Sequence, residues 1–357
     1  MGVEKKYENI QTLRAIAILF IVLNHLTIIE VKFGKMPAVL PAFLTRGMGG
    51  IDLFFTISGL MMVTINRGKY QSARQAFSFL YNRLVRIYPL YWIYSLLVLP
   101  IYFLRPDWVN SAQGNRVDLL SSFLLLPSDL LPLINVAWML VHLCYFYLTF
   151  FLVLWLCKEK YLPLIMALWA LLVGAGQVYF HFHPSLSPTA NLLIHPYTYE
   201  FITGCFIGFL FHSRQRRWGL AFLTGGLILY FIALIQLNLN PLQGLVIGWD
   251  RVLLFGPPAA MILYGVIVLE WEGRLSFPPV FTRLGDASYS IYLSHIPVLV
   301  VAGRIWALFS GPGWFQHWLA AIIMTGLAIL FGQWSYRFLE TPLLNKFRNR
   351  KSHHMKK

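Results

Sequence analysis

The chain alternates long apolar runs with short polar segments, and this pattern predicts its elements. A transmembrane helix needs roughly 20 mostly apolar residues. Ten stretches meet that requirement to within a few residues: 10–30, 49–66, 87–104, 136–156, 162–180, 197–212, 218–237, 251–270, 285–308 and 318–339. The pattern therefore predicts an all-α integral membrane protein with ten transmembrane helices.

The run 119–134 is less regular, because Pro127, Asp129 and Pro132 interrupt it. We interpret it as an interfacial or re-entrant segment, with an eleventh span as the alternative. Residues 1–30 share with a signal peptide a basic start, Lys5 and Lys6, before an apolar run. The sequence after that run has no small-x-small cleavage site, so we assign it as the first transmembrane helix.

The composition supports a membrane protein. Hydrophobic residues make up 58% of the chain and charged residues 12%, whereas soluble domains carry about 25% charged residues. This excludes a water-soluble enzyme, a disordered chain and an ordinary nucleic-acid binder. The three cysteines, Cys144, Cys157 and Cys205, lie inside apolar runs without the spacing of a disulfide framework or a zinc site. No metal site is predicted.

The net charge of +15 is explained by topology. If both termini are cytoplasmic, 22 of the 29 Lys and Arg residues fall on the inner side, as the positive-inside rule requires. An even number of helices agrees with this orientation, and nucleic acid is not needed as a partner. We predict a single transmembrane domain over 1–345, followed by a basic cytoplasmic tail over 346–357 that lies near anionic lipid headgroups. The predicted location is the inner (plasma) membrane, crossed many times.

Two ionisable residues share one face of the first helix. Arg14 lies near the inner boundary and His25 follows eleven residues later, which at about 100° per residue returns to within about 20° of the same face. The rise of about 16 Å places His25 near the centre of the hydrocarbon core. A single histidine in a span is also compatible with a packing role, but polar groups at this depth are functional candidates.

A pair of arginines precedes the third predicted span. Arg83 and Arg86 are three residues apart and so are neighbours if the segment is helical. One interpretation is a positive-inside anchor. The other is a phosphate site, because planar, always-charged guanidinium groups bind phosphates well.

Other polar residues lie in the second and ninth spans. Gly50, Ser58 and Gly59 favour close approach between helices, and Asp52 is interpreted as interfacial. Ser288, Tyr289, Tyr292 and His295 occur at helical spacing, with His295 about 15 Å deep. Two midplane histidines are therefore candidates to line one cavity. Two acidic residues near span ends are interpreted as interfacial partners for arginines: Glu200 and Glu340.

Together these residues resemble the acyltransferase-3 family of integral-membrane acyltransferases. Five family elements occur in order: Arg14 and His25; Gly50, Phe54, Phe55, Ser58 and Gly59; Arg83, Arg86, Tyr88 and Pro89; Ser288, Tyr289, Tyr292, Leu293 and His295; Glu340 and Pro342. One element departs from the family. Where many members carry a Glu after the central Trp, here Trp138, this chain has Leu143, with His142 beside it.

The resemblance implies transfer of an acyl group, most simply acetyl, from cytoplasmic acyl-CoA to a hydroxyl of an extracytoplasmic or lipid-linked saccharide such as exopolysaccharide or O-antigen. It assigns His25 and Arg14 to catalysis, Arg14, Arg83 and Arg86 to acyl-CoA binding, and Ser58, Tyr289, Tyr292 and His295 to the cavity. His25 would act as general base or as an acyl-carrying nucleophile. Acetyl-CoA or another acyl-CoA is then a co-substrate, and no permanently bound cofactor is expected.

The appended SGNH domain of some relatives does not occur within these 357 residues, so we expect transfer by this chain alone or with a separate glycan-assembly partner. Two alternatives remain at this point. A transporter or flippase of a lipid-linked saccharide would also bury Arg and His, but the inverted repeats common in transporters are not visible. A membrane O-acyltransferase of the other large family would leave the Arg14–His25 spacing unexplained.

Overall fold

The computed structural model describes residues 8–35, 39–40, 49–182, 186–213, 216–239 and 248–354. All regular structure in these ranges is helical. Lys5, Lys6 and the end of the predicted tail lie outside the described residues. The α-helices are α1 (Glu8–Phe33), α2 (Gly49–Ile65), α3 (Ala73–Leu104), α4 (Leu119–Leu124), α5 (Trp138–Leu156), α6 (Leu162–His181), α7 (Pro188–Leu193), α8 (Tyr197–His212), α9 (Gly219–Leu239), α10 (Trp249–Trp271), α11 (Pro279–Asp286), α12 (Ser288–Ala307), α13 (Trp314–Ser335) and α14 (Thr341–His354).

The long helices are those of an integral membrane protein. In hydrocarbon every backbone N–H and C=O must be paired within the chain, so an apolar run of this length folds as a helix. Eight helical segments of the described chain are long and apolar enough to cross a membrane, and α2, with 17 residues, is a shorter apolar helix. Each of the ten predicted spans coincides with a helix. The number of crossings and the side of each terminus stay predictions.

In two regions the helices differ in length from the predicted segments. Helix α3 begins at Ala73, well before the predicted residue 87, and Ser72 caps it by accepting a hydrogen bond from the backbone N–H of Gln75. Arg83 and Arg86 therefore lie within a helix. The run 119–134 forms only the six-residue helix α4 followed by irregular chain. That length is too short to cross a bilayer, which agrees with the interfacial interpretation.

The chain divides into two compact units. The first comprises Met1–Met61 and Tyr199–Gln333, and the second comprises Met62–Thr198 and Trp334–Lys357. In the first unit α1 packs against α10, α11 and α12, and α9 packs against α10. In the second unit α3 packs against α5 and α14. The prediction of a single domain over 1–345 stays a prediction.

Helices α2 and α8 cross at a point where neither carries a side chain. A Cβ at Gly59 would overlap the backbone oxygen of Phe201, and one at Gly204 would overlap the backbone oxygen of Thr56. Small residues let membrane helices approach this closely and gain van der Waals contact. The expectation that Gly59 serves helix packing is therefore confirmed.

Candidate active site

The first unit brings together two histidines, His25 of α1 and His295 of α12. Nε2 of His295 lies 3.2 Å from Nδ1 of His25, and the ring centroids are 5.0 Å apart. The contact forms because α1 and α12 pack side by side. His295 is fully buried, while His25 keeps partial exposure. The two side chains that sequence spacing placed at similar depth thus meet directly.

The hydrogen bonds of this pair define which ring nitrogens carry hydrogen. Nδ1 of His25 lies 2.9 Å from the carbonyl oxygen of Ile21, and Nδ1 of His295 lies 3.1 Å from that of Ile291. A carbonyl only accepts, so each neutral imidazole carries its hydrogen on Nδ1. Nε2 of His295 is then an acceptor, and the Nδ1 hydrogen of His25 is shared between it and Ile21.

This arrangement leaves a lone pair on Nε2 of His25. Among the described residues no donor forms a hydrogen bond with that nitrogen. A neutral imidazole with a free Nε2 and a fixed Nδ1–H is the form that accepts a proton or attacks a carbonyl carbon. The second histidine therefore orients the first one and holds its tautomer.

Arg14 lies on α1 as well, eleven residues before His25 and nearer the N-terminus of the helix. Its guanidinium donates a hydrogen bond to Oε1 of Gln11 at 3.3 Å and lies 6.0 Å from the ring centroid of Phe54 on α2. The aromatic face stabilises the positive charge in partly apolar surroundings. The cation is thus held at the start of the helix that carries His25.

Three other residues predicted to line the cavity lie in the first unit: Ser58, Tyr289 and Tyr292. They differ in their contacts with the histidine pair. The ring of Tyr292 lies 5.9 Å from the ring of His295, and both Tyr292 and Tyr289 are buried on α12. Ser58 donates its hydroxyl to the carbonyl oxygen of Phe54 within α2 at 2.8 Å. Tyr292 is therefore the candidate with a direct contact to the histidine pair, whereas the hydrogen bond of Ser58 is internal to its helix.

A buried ion pair was missed by sequence reasoning. Nε of Arg251 lies 3.0 Å from one carboxylate oxygen of Asp52, and a terminal nitrogen lies 2.7 Å from the other. Asp52 was predicted to be interfacial, and this is wrong: its exposure is 0% and that of Arg251 is 1%. Glu200 is buried next to the pair. The one sequence signal was a basic residue on the predicted outer side, against the positive-inside trend.

In the second unit, Arg83 and Arg86 have different partners. Arg86 forms an ion pair with Glu340 in the π-helical segment Tyr336–Glu340 between α13 and α14. The guanidinium carbon of Arg83 lies 5.5 Å from the ring centroids of both Phe79 and Tyr147. The predicted role of Glu340 as a partner for an arginine is confirmed. The charge of Arg86 is compensated, and that of Arg83 rests against aromatic faces.

The segment that departs from the family pattern lies on α5. Leu143 is buried in the position where many relatives carry Glu. The neighbouring His142 is also buried, and its ring lies 4.7 Å from that of His195 and 5.9 Å from that of Trp138. The second unit thus contains its own pair of histidines, separate from the pair on α1 and α12.

The family of the chain follows from comparison with known proteins. The acyltransferase domain of the acyltransferase-3 family matches residues 7–337, so the chain belongs to this family. It is also 30% identical over 319 residues to the exopolysaccharide production protein ExoZ of Rhizobium meliloti (strain 1021), a match that covers 86% of this chain and 92% of that protein. No solved structure matches the chain. The chain is therefore a membrane acyltransferase by family.

Proposed function

We propose that this chain transfers an acyl group, most simply acetyl, from acyl-CoA at the cytoplasmic face of the plasma membrane to a hydroxyl of an exopolysaccharide or of its lipid-linked precursor. The observation that carries the proposal is the free lone pair on Nε2 of His25. The contacts of Nδ1 with His295 and Ile21 keep the ring hydrogen on Nδ1 and so leave Nε2 free. Membership of the acyltransferase-3 family supports the reaction class. The similarity to an exopolysaccharide production protein supports the acceptor class.

The reaction follows from the chemistry of a thioester and an imidazole. Nε2 of His25 takes the proton of a saccharide hydroxyl, and the oxygen attacks the thioester carbonyl carbon. When the tetrahedral intermediate collapses, the carbon–sulfur bond breaks and the thiolate of CoA takes the proton from the imidazolium. The products are an ester and CoA–SH, so atoms and charge balance. An acyl-histidine intermediate is the alternative route, in which Nε2 itself attacks the thioester.

We assign the anionic end of acyl-CoA to arginines. Arg14, Arg83 and Arg86 are the proposed ligands of its phosphates, because a guanidinium binds phosphate through charge-assisted, often paired hydrogen bonds. Arg86 already faces Glu340, so a phosphate there has to share or replace that carboxylate. For Arg83 the described contacts that a phosphate would replace are those with the rings of Phe79 and Tyr147. We therefore expect Arg83 to contribute more to donor affinity than Arg86.

The test uses purified full-length protein in liposomes. Acetyl-CoA and deacylated oligosaccharides from the exopolysaccharide of the host strain are added, and release of CoA–SH and acylation of the glycan are followed together. The wild-type protein is expected to release CoA and acylate the glycan in equal amounts. His25→Ala is expected to do neither, while a control at an exposed helix end, His181→Ala, keeps both activities. Equal activity of the His25→Ala variant would refute the proposal.

A further inference from the structure

The second unit contains a cleft that has no role in the reaction steps assigned to His25. Its volume is about 190 Å³. It is bordered by the irregular segment 125–134, by the first turns of α5, and by α7 with the residues that follow it. Its polar and aromatic lining residues are Ser128, Asp129, Trp138, His142, Asn191 and His195.

The wall formed by residues 125–134 is held in place by hydrogen bonds. The backbone N–H of Leu133 donates to Oγ of Ser122 at 2.8 Å, and Tyr91 donates its hydroxyl to the carbonyl oxygen of Ser122 at 2.7 Å. Further along, the N–H of Leu131 donates to Oε1 of Gln113 at 2.7 Å. These contacts form the cleft before any ligand binds, which lowers the entropic cost of binding.

His195 lines the cleft and carries a hydrogen-bond donor on its ring. The backbone N–H of Tyr197 donates to its Nδ1 at 3.3 Å, so the neutral ring carries its hydrogen on Nε2. Burial lowers the pKa of His195 to about 4, and the ring is therefore neutral near pH 7. The residue lies between α7 and α8, where its ring also contacts that of His142.

The lining residues select the class of ligand. None of the described residues that line the cleft is Lys or Arg, and Asp129 contributes a carboxylate, so phosphates are disfavoured. Trp138 is half-buried with its ring against that of Tyr197. One aromatic surface, one carboxylate, one amide and one imidazole N–H suit a ligand with an apolar C–H face and a rim of hydroxyl groups. A sugar ring has both features.

We propose that this cleft binds one sugar unit of the acceptor glycan. The proposal rests on the proposed function, since it names a subsite for the same substrate. The volume is below the roughly 300–1,000 Å³ of pockets that enclose drug-sized ligands, which suits one ring with the rest of the glycan outside. Two of its borders, residues 126–132 and 188–195, follow the third and the fifth predicted spans. With a cytoplasmic N-terminus the topology prediction therefore places both outside the cytoplasm, where this glycan is found.

The first test measures kinetics with matched variants. Trp138→Leu is compared with Trp155→Leu, since both tryptophans lie on α5 and only the first lines the cleft. His195→Leu is compared with His195→Gln, whose amide N–H can replace Nε2–H. We expect Trp138→Leu and His195→Leu to raise the KM for deacylated host oligosaccharides about tenfold, as for the loss of one good hydrogen bond or stacking contact. Trp155→Leu and His195→Gln are expected to stay near wild type.

The KM for acetyl-CoA is the internal control, and it should stay near the wild-type value in every variant that folds. An unchanged KM for the oligosaccharides would overturn the proposal. A raised KM for acetyl-CoA with an unchanged KM for the oligosaccharides would overturn it too, because the cleft would then serve the donor. If Trp138→Leu fails to fold, Asn191→Ala replaces it, since Asn191 is exposed and its truncation disturbs little packing.

A binding measurement separates this proposal from the proposed reaction. Saturation-transfer NMR with the same oligosaccharides reports glycan contact even if no acyl group is transferred. A signal in wild type that is lost in Trp138→Leu supports the cleft whatever the activity at His25. Equal signals in the two proteins overturn the sugar subsite and leave the reaction to be judged by the release of CoA.

Discussion

His25 shares its single Nδ1 hydrogen between the carbonyl oxygen of Ile21 and Nε2 of His295. Three consequences follow from the chemistry of one ring. The ring cannot rotate without losing both contacts, its hydrogen stays on Nδ1, and Nε2 keeps its lone pair. The partner histidine thus holds His25 in the way that a carboxylate or a carbonyl holds the histidine of a catalytic triad or of a metal site.

The first prediction concerns this ring. His25→Gln retains hydrogen bonding but cannot take up a proton, so acyl transfer should fall by about 10²- to 10⁴-fold, the usual contribution of a general base. The measurement is acylation of the glycan by mass spectrometry, with each variant quantified in membranes. Substantial activity of the glutamine variant at normal abundance would show that His25 is not the catalytic group.

The second prediction concerns the partner. His295→Leu removes the acceptor for the Nδ1 hydrogen of His25, and we expect kcat to fall about 2- to 10-fold, as for one lost hydrogen bond. His295→Gln offers its amide oxygen as the acceptor and should recover part of the loss. The pH profile of kcat should also shift in the leucine variant, since the basicity of His25 changes. If His295→Leu is as inactive as His25→Gln, His295 takes part in the chemistry itself.

At the scale of elements, most helices could be predicted from the sequence and their long-range contacts could not. Apolar runs reveal α1 or α5 because length and hydropathy are local properties. The first turns of α3 were missed because residues 73–86 mix polar and apolar side chains. The pairing of Asp52 with Arg251 joins residues 199 positions apart, and nothing in the local pattern of α2 indicates which distant helix supplies its cation.

In the candidate site, too, the sequence predicted local features but not the contacts between distant residues. Spacing placed Arg14 and His25 on one helix face, and the depth of His295 matched that of His25. The contact between the histidines forms because α1 packs against α12. The hydrophobic pattern along one helix does not show which other helix it packs against. The pairing of Arg86 with Glu340 depends on a π-helical segment. Such a wide turn is rare and often lies at a functional site, and no residue pattern in this segment predicted it.

The third prediction concerns the ion pair between α3 and the π-helical segment. Arg86→Met alone removes one cation that compensates the buried carboxylate of Glu340, which should lower the free energy of unfolding. Breaking a fully buried ion pair by removing one partner costs about 3–5 kcal/mol. The loss here should be smaller, because Arg86 is 29% exposed. Combining Arg86→Met with Glu340→Gln also removes the buried negative charge and should restore most of the stability, as measured by thermal unfolding in detergent.

The same double variant separates the two interpretations of Arg86. If Arg86 binds a phosphate, the stable double variant should still show a raised KM for acetyl-CoA, about 10-fold for one lost charge-assisted bond. The companion variant Arg83→Met should show an equal or larger increase. Unchanged affinity for acetyl-CoA in a stable protein would return Arg86 to a structural role in joining α3 to the end of the chain.

At the scale of the whole molecule, the orientation of the chain in the membrane decides from which side the proposed donor and acceptor reach the protein. The fourth prediction is that a cysteine at Lys69 is labelled only from the cytoplasmic side and a cysteine at Ser187 only from the outside. Cys144, Cys157 and Cys205 are replaced first, so that each labelled protein has one thiol. Membrane-impermeant maleimide on intact cells and on lysed cells distinguishes the sides. Labelling of position 69 in intact cells would reverse the topology and the assignment of the donor side.

The buried pair of Asp52 and Arg251 also constrains how the protein is made. Ribosomes add about 5–20 residues per second, so the 199 residues added from the one after Asp52 up to Arg251 take about 10–40 s to synthesise. During that interval α2 is already in or near the membrane, and its carboxylate has no cation from α10. The nascent chain therefore has to protect an acidic helix until its partner emerges. The first unit can therefore form this ion pair only late in the translation of the chain.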